Sequence, residues 1–160
     1  MSTADAPLPK APQVAGAPPH MLVVRAPYYT EVVDGMTAGC EHILREAGAT
    51  FDLLDVAGAF ELAQAIRIAL RGNQRFDGFV ALGCIVRGGT DHYDHICRES
   101  MAGLMSVALQ YGIALGSGLL TVHSIEQAVA RSGSDGHNKG AEAAAAALLQ
   151  VSAARRLGAV

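Results

Sequence analysis

Residues 79–100 read FVALGCIVRGGTDHYDHICRES. An unbroken apolar run of about eight residues, bounded by glycine, predicts a strand buried on both faces, the kind a parallel sheet requires. The run breaks at Arg87, Gly88, Gly89 and Thr90 into an acidic, histidine-bearing helix start. Ligands of open parallel sheets bind outside the carboxyl ends of the strands. Gly88, Gly89, Thr90 and His92 fall there. One segment thus holds a strand, an anion-binding turn and a candidate general base.

The flanking sequence repeats the same alternation. Residues 21–24 form a short apolar strand, and residues 30–47 carry Val32, Val33, Met36, Cys40, Ile43, Leu44 and Ala47 at helical spacing before Gly48. Residues 51–56 return as a strand, and Leu62, Ala65, Ile66, Ala69 and Leu70 mark a helix that stops at Gly72. A helix over 94–111 has apolar residues on more than one face, Met101, Met105 and Leu109 among them. In a small domain such a helix needs a second burial partner, and self-association is the simplest supplier. Residues 113–122 give a fourth strand, Ser124 to Gln127 has capping-box spacing ahead of a short helix to Arg131, and alanine-rich 141–157 closes the chain. The pattern predicts an α/β three-layer sandwich, a four-stranded parallel sheet with helices on both faces.

The 160 residues, 51% of them hydrophobic, suffice for one domain with a real core, and the net charge of −3 makes nucleic acid and acidic membranes poor partners. Cys40, Cys84 and Cys97 are odd in number and set in apolar segments, so reduced core thiols and a cytoplasmic location are expected. No apolar run approaches the about 20 residues that span a bilayer, and the first twenty residues, rich in Ala and Pro, have no export-signal core. Residues 1–20 are expected as a flexible or extended arm, ahead of a single domain at 21–160.

Each candidate residue has a chemical and a plainer reading. Gly88-Gly89-Thr90 offers backbone N–H groups, helped by a helix dipole, to a phosphate, or it is an ordinary glycine turn. No Walker lysine and no G-x-G-x-x-G is present, so neither a nucleoside triphosphate nor a dinucleotide is indicated. His92 could transfer protons, sit solvated at a helix start, or bind a metal with His95 and Cys97, although sequence alone does not assemble four ligands. Arg131 could grip a phosphate or merely cap carbonyls, and Lys139 could be a first-turn lysine. Tyr28 could stack on a planar ligand or cover the core, and Glu61 could simply favour a helix N-terminus.

Four motifs in order bring these pieces together: VAGAFE at 56–61, ALGCIVRGGTDHYD at 81–94, Leu120-Thr121 through Ile125-Glu126-Gln127-Ala128, and Asn138-Lys139-Gly140. In them, from about Met21 to Leu149, the chain resembles the lumazine synthases of riboflavin biosynthesis. The resemblance implies a flavodoxin-like strand order and the condensation of 5-amino-6-(D-ribitylamino)uracil with 3,4-dihydroxy-2-butanone 4-phosphate. The products are 6,7-dimethyl-8-ribityllumazine, phosphate and water. It implies that Tyr28 stacks on the pyrimidine, that Ala59, Phe60 and Glu61 meet the ribityl chain, and that Cys84, Ile85 and Val86 line the ring. Gly89, Thr90 and Arg131 would hold the phosphate, His92 would move protons, and Lys139 would touch the ring end. It further implies no cofactor, no metal, and a homo-oligomer, a pentamer or a sixty-subunit shell of pentamers, with sites between neighbours and Ser117 and Arg131 supplied by the adjacent subunit.

Some positions depart from the family's usual pattern. Ala57 and Ala63 stand where prolines often flank the Gly-Ala-Phe-Glu motif, Pro27 where a basic residue is common, and Ser117 where many members carry an aromatic. These bear on affinity for the pyrimidine more than on reaction class. The proline-studded arm argues weakly against an added intersubunit strand, whereas the short 133–137 turn permits the shell. Two rivals keep the fold without this chemistry: a non-catalytic flavin- or lumazine-binding carrier or shell protein, and a generic flavodoxin-like nucleotide module.

Overall fold

Two strands buried on both faces organise the molecule. In a computed structural model, which describes residues 7–134 and 137–159, strands β1 (His20–Ala26) and β3 (Gly78–Val86) lie at the centre of an all-parallel sheet. β2 (Thr50–Asp55) flanks β1 and β4 (Ala114–Val122) flanks β3, giving the order β2-β1-β3-β4. Val23 pairs with Leu53 on one side and Val80 on the other. Because successive side chains point to opposite faces, Met21, Val23, Val80 and Leu82 enter one core, and Leu22, Val24, Phe79 and Ala81 enter the other.

Helices α1 (Thr30–Glu46) and α5 (Lys139–Leu157) cover the first face. Helices α2 (Ala59–Ala69) and α3 (His92–Tyr111) cover the second. A single 3-10 turn (Pro27–Tyr29) joins β1 to α1, and α4 (Ile125–Val129) is short. The architecture is the three-layer sandwich expected from the sequence, with the flavodoxin-like strand order.

Several boundaries differ from the sequence reading, and four of the differences have a visible cause. β1 is longer than 21–24 because His20 is tied in at its start, its N–H donating to Asp77 Oδ2 at 2.8 Å. α3 begins at His92 rather than Asp94, since Asp91 O already accepts from the N–H groups of Asp94 and His95. α2 ends at Ala69, and a turn carries the chain through Gly72, whose N–H donates to Ala69 O. The capping box is offset by one residue. Ser124 is the N-cap of α4 but makes no capping bond, and Gln127 Oε1 accepts instead from the N–H of His123.

α5 approaches the rest of the fold unusually closely. A Cβ at Gly140 would strike the backbone of Met36 in α1, and one at Gly116 would strike the Ala143 carbonyl of α5. The alanines 141, 143, 144 and 147 are buried in that narrow space. Small residues are therefore required here by volume, with helix propensity only assisting.

Residues 7–19 form neither helix nor strand. Ala11 and Val14 pack on the α1/α5 core, and Arg155 Nη1 donates to the carbonyls of Ala15 and Ala17 at 2.9 and 2.6 Å. Arg155 Nη2 reaches Asp77 Oδ1 at 3.0 Å, the same carboxylate that holds His20. Residues 1–6 of the expected arm, Asp135 and Gly136 of the 133–137 turn, and Val160 lie outside the described residues. The apolar face of α3 is open: Met105 and Leu109 are 61% and 76% exposed.

Two outcomes follow. Gly140→Ala should lower stability by about 3 kcal/mol and the melting midpoint by about 6–12 °C, because the clash is with backbone that cannot rotate away. Thermal unfolding followed by circular dichroism checks it. Arg155→Gln should raise amide exchange across residues 11–19 about tenfold or more, as its charge-assisted bonds are lost, while the strands stay protected. Hydrogen-exchange mass spectrometry reads both regions at once.

Candidate active site

The strand order changes direction between β1 and β3, and a cleft opens at the carboxyl ends of those strands. This is where a ligand site belongs in such a sheet. The cleft has a volume of about 270 Å³ and is lined by residues from four segments. Tyr28 and Tyr29 come from the turn after β1, Gly58 and Ala59 from the start of α2, and Cys84, Ile85 and Val86 from the end of β3. Gly88, Thr90, His92, Tyr93 and Ile96 come from the following turn and the first turns of α3.

The walls differ in character. Ile85 and Cys84 are buried and present an apolar floor. Burial pushes the Cys84 thiol up to about 11, so at neutral pH it is a neutral, weakly polar contact and not a nucleophile. Tyr28 is 77% exposed at the mouth and meets Tyr29 edge to face at 5.2 Å. Burial, with Tyr28 and Cys84 nearby, raises the Tyr29 hydroxyl above its ordinary value, so it too is neutral.

The opposite end is polar. Gly88, Gly89, Thr90, Asp91 and His92 are all exposed. A Cβ at Gly88 or Gly89 would meet nothing within 4 Å, and neither glycine has a positive φ. Packing and backbone conformation therefore leave glycine unexplained at both positions. An approaching ligand that needs bare backbone N–H groups would explain it. His92 is the first residue of α3 and lies on the cleft beside Thr90.

Of the residues singled out from sequence, Tyr28, Ala59, Cys84, Ile85, Val86, Thr90 and His92 line this cleft. Gly89 lies in the same turn but is not part of the lining. Glu61 sits at the rim, with its carboxylate beside Gly58 and its N–H donating to Gly58 O at 3.2 Å; Phe60 projects outward, exposed.

Three residues lie elsewhere on the chain. Ser117 pairs with Ala81 on edge strand β4, three residues short of Cys84 in register, and is exposed. Lys139 opens α5, where Nζ pairs with Glu142 Oε2 at 2.6 Å. Arg131 follows α4, and its Nη1 donates to Gln127 O at 2.7 Å, the carbonyl-capping role that its place in the sequence allowed.

Tyr29, Tyr93 and Ile96 also line the cleft, although sequence reasoning did not single them out. Ile96 follows His92 by one helical turn and so shares its face. Tyr29 and Tyr93 adjoin residues that were singled out, but adjacency alone gives no direction. Among the described residues no three His, Cys, Asp or Glu side chains converge as a metal site would need.

Comparison with known proteins agrees with this geometry. Residues 18–155 match the family model described as 6,7-dimethyl-8-ribityllumazine synthase. The protein named 6,7-dimethyl-8-ribityllumazine synthase 1 from Rhizobium meliloti is 44% identical over 146 residues, covering 89% of this chain and 95% of the relative. The 6,7-dimethyl-8-ribityllumazine synthase of Paramagnetospirillum magneticum is 42% identical, covering 86% of this chain and 96% of the relative. That of Nitrobacter hamburgensis is 40% identical over 95% of this chain and 94% of its own. With a family match over residues 18–155 and relatives 40–44% identical over most of both chains, the chain belongs to the 6,7-dimethyl-8-ribityllumazine synthase family.

Proposed function

We propose that the chain condenses 5-amino-6-(D-ribitylamino)uracil with 3,4-dihydroxy-2-butanone 4-phosphate, giving 6,7-dimethyl-8-ribityllumazine, phosphate and water, a step of riboflavin biosynthesis. The observation that carries this reading is the polarity of one cleft: an aromatic and apolar slot at one end, and a bare Gly88–Gly89–Thr90 turn with His92 at the other. A flat pyrimidine suits the first and a phosphate the second.

In this reading Tyr28 stacks on the pyrimidine and Cys84 to Val86 form the floor beneath it. Ala59, Phe60 and Glu61 meet the ribityl hydroxyls. Gly89 and Thr90 receive the phosphate. The uracil's 5-amino group attacks the ketone and an imine forms with loss of water. Phosphate then leaves, and the ribitylamino nitrogen closes the ring with loss of a second water. His92 takes and returns the protons. Both partners are reactive, so most of the acceleration comes from holding them in register. No step calls for a cofactor or a metal.

A cleft of about 270 Å³ falls just below the usual range for small-molecule sites, roughly 300–1,000 Å³. An adjacent copy that supplies Ser117 and Arg131, with Lys139 nearby, would complete it. The open face of α3, with Met101, Met105 and Leu109, favours the same conclusion, since apolar area of this kind is seldom left to water. The assembly is therefore a homo-oligomer with sites between neighbours, a pentamer or a sixty-subunit shell of pentamers. Free Cys40, Cys84 and Cys97 fit a reducing cytoplasm. No described helix is long and apolar enough to cross a membrane.

Purified protein given both substrates should form the lumazine and release phosphate together, well above the uncatalysed rate. His92→Ala should lower kcat about 10- to 100-fold, the lower end for an acid–base group because proximity persists. Arg131→Ala should raise KM for the phosphate-bearing substrate about 10- to 100-fold. Co-expressed His92→Ala and Arg131→Ala subunits should recover about a quarter of the wild-type rate, the random-pairing share of sites with both residues intact. Tight lumazine binding without turnover would overturn the enzyme reading in favour of a carrier. As a separate expectation, Cys84→Ala should weaken ligand binding no more than about fivefold, as one buried sulfur contributes only contact area. Isothermal titration with the product measures it.

A further inference from the structure

The turn that would receive the phosphate has little to hold it still. Gly88 to His92 are five consecutive exposed residues, and two of them are glycines without packing neighbours. Such a segment loses much backbone freedom when it is fixed. A group that joins its two ends would reduce that cost before any ligand arrives.

Arg87 makes such a join. Its own N–H donates to Val122 O at 2.9 Å, so the residue just before the turn is anchored to the end of β4. Its side chain then crosses the turn. The guanidinium carbon lies 5.3 Å over the ring of Tyr93, and Nη2 is 3.4 Å from Asp94 Oδ2. Tyr93 is itself fixed, since it is half-buried, packed on the α2/α3 core and 6.1 Å edge to face from the ring of His123. The residues joined are 87 on one side and 93 and 94 on the other, and the bare turn with His92 lies between them.

We propose that Arg87 is a positioning residue, its guanidinium laid on Tyr93 and against Asp94 to staple the Gly88–Thr90 turn in the shape that receives the substrate's phosphate. The inference rests on the reading of that turn as the phosphate site. In this proposal Arg87 acts on the turn and not as the anion's countercharge, its guanidinium being engaged by the Tyr93 ring and by Asp94. A lysine would keep the charge but could not reproduce the planar stack. Tyr93 has a double place, as part of the cleft wall and as the platform for the staple.

The test compares Arg87→Gln, Arg87→Lys, Tyr93→Leu and Tyr93→Phe in the full chain, with Arg131→Ala as reference. The readouts are KM and kcat for the phosphate-bearing substrate and the Kd of inorganic phosphate. Arg87→Gln should raise KM and the phosphate Kd about three- to tenfold with kcat little changed, the scale of one exposed cation–π contact plus a surface ion pair, and Tyr93→Leu should raise the phosphate Kd by a similar factor. Tyr93→Phe should recover most of the affinity that Tyr93→Leu loses, and Arg87→Lys should fall between glutamine and wild type. An effect of Arg87→Gln without one of Tyr93→Leu would overturn the proposal, because Arg87 would then act on the anion directly. No effect of either, with Arg131→Ala still impaired, would sink the staple and leave the phosphate site standing. If Arg131→Ala also left both constants unchanged, the phosphate reading itself would fail and the staple with it.

Discussion

The buried amide of Asn138 is the knot on which the α1/α5 side of the molecule depends. Its Oδ1 accepts from the N–H groups of Gly140 and Ala141 at 2.9 and 3.1 Å, capping α5. Its Nδ2 lies within hydrogen-bond reach of three carbonyls, Gly35 in α1 at 2.8 Å and Ser132 and Gly133 after α4 at 2.9 and 3.1 Å. One side chain thus fixes the start of α5 against α1 and against the turn that carries Arg131. Gly39 and Gly140 make room for the contact, since a Cβ on Gly39 would strike Asn138 and one on Gly140 would strike Met36. An apolar residue at 138 would leave the first N–H groups of α5 and the buried Ser132 carbonyl without this partner and would untie α5 from α1.

The consequences reach the site by way of the backbone. The N–H of Lys139 donates to Arg131 O at 2.9 Å, so the segment that follows α4 is laid along the first turn of α5. α1, held from its Gly35 end, begins directly after the turn that carries Tyr28 and Tyr29. The helix pair α1 and α5 therefore sets the height of the aromatic mouth on one side of the sheet. On the other side α3 follows β3 across the glycine turn, so His92 lies at the carboxyl end of the sheet. The cleft is the meeting of a wall set by helix packing and a floor set by strand register.

The sequence carried the fold because the central strands are buried on both faces, which leaves an unmistakable apolar run at 79–86 and a helical period between strands. Boundaries were less legible where long-range polar bonds decide them. The start of β1 depends on Asp77, and the start of α4 on Gln127 turning to His123; neither partner is visible in local pattern. The site was legible where its residues are contiguous, from Cys84 to His92. Tyr29, Tyr93 and Ile96 were not, because only the fold gives their direction. Ser117, Lys139 and Arg131 do not line the cleft of their own chain, and only the resemblance, not local pattern, singled them out as site residues or set them in a neighbour's cleft.

The separation of charge on this one chain makes an argument about assembly. A phosphate at the Gly88 turn needs more than backbone N–H groups to hold a doubly charged leaving group, and a guanidinium is the natural complement. Within the chain, Arg87 is stacked on Tyr93, and Arg131 is turned back to the Gln127 carbonyl away from the cleft lining. On the proposed reading a neighbouring copy brings its own Arg131 to this turn, and the exposed Ser117 of its β4 toward the same junction. Burial of Met101, Met105 and Leu109 on α3 would supply the association energy that single polar contacts at a rim do not. On the proposed reading, oligomerisation and catalysis therefore depend on the same contact, and a chain that could not associate would keep its fold and its general base while lacking the cation on which phosphate departure relies.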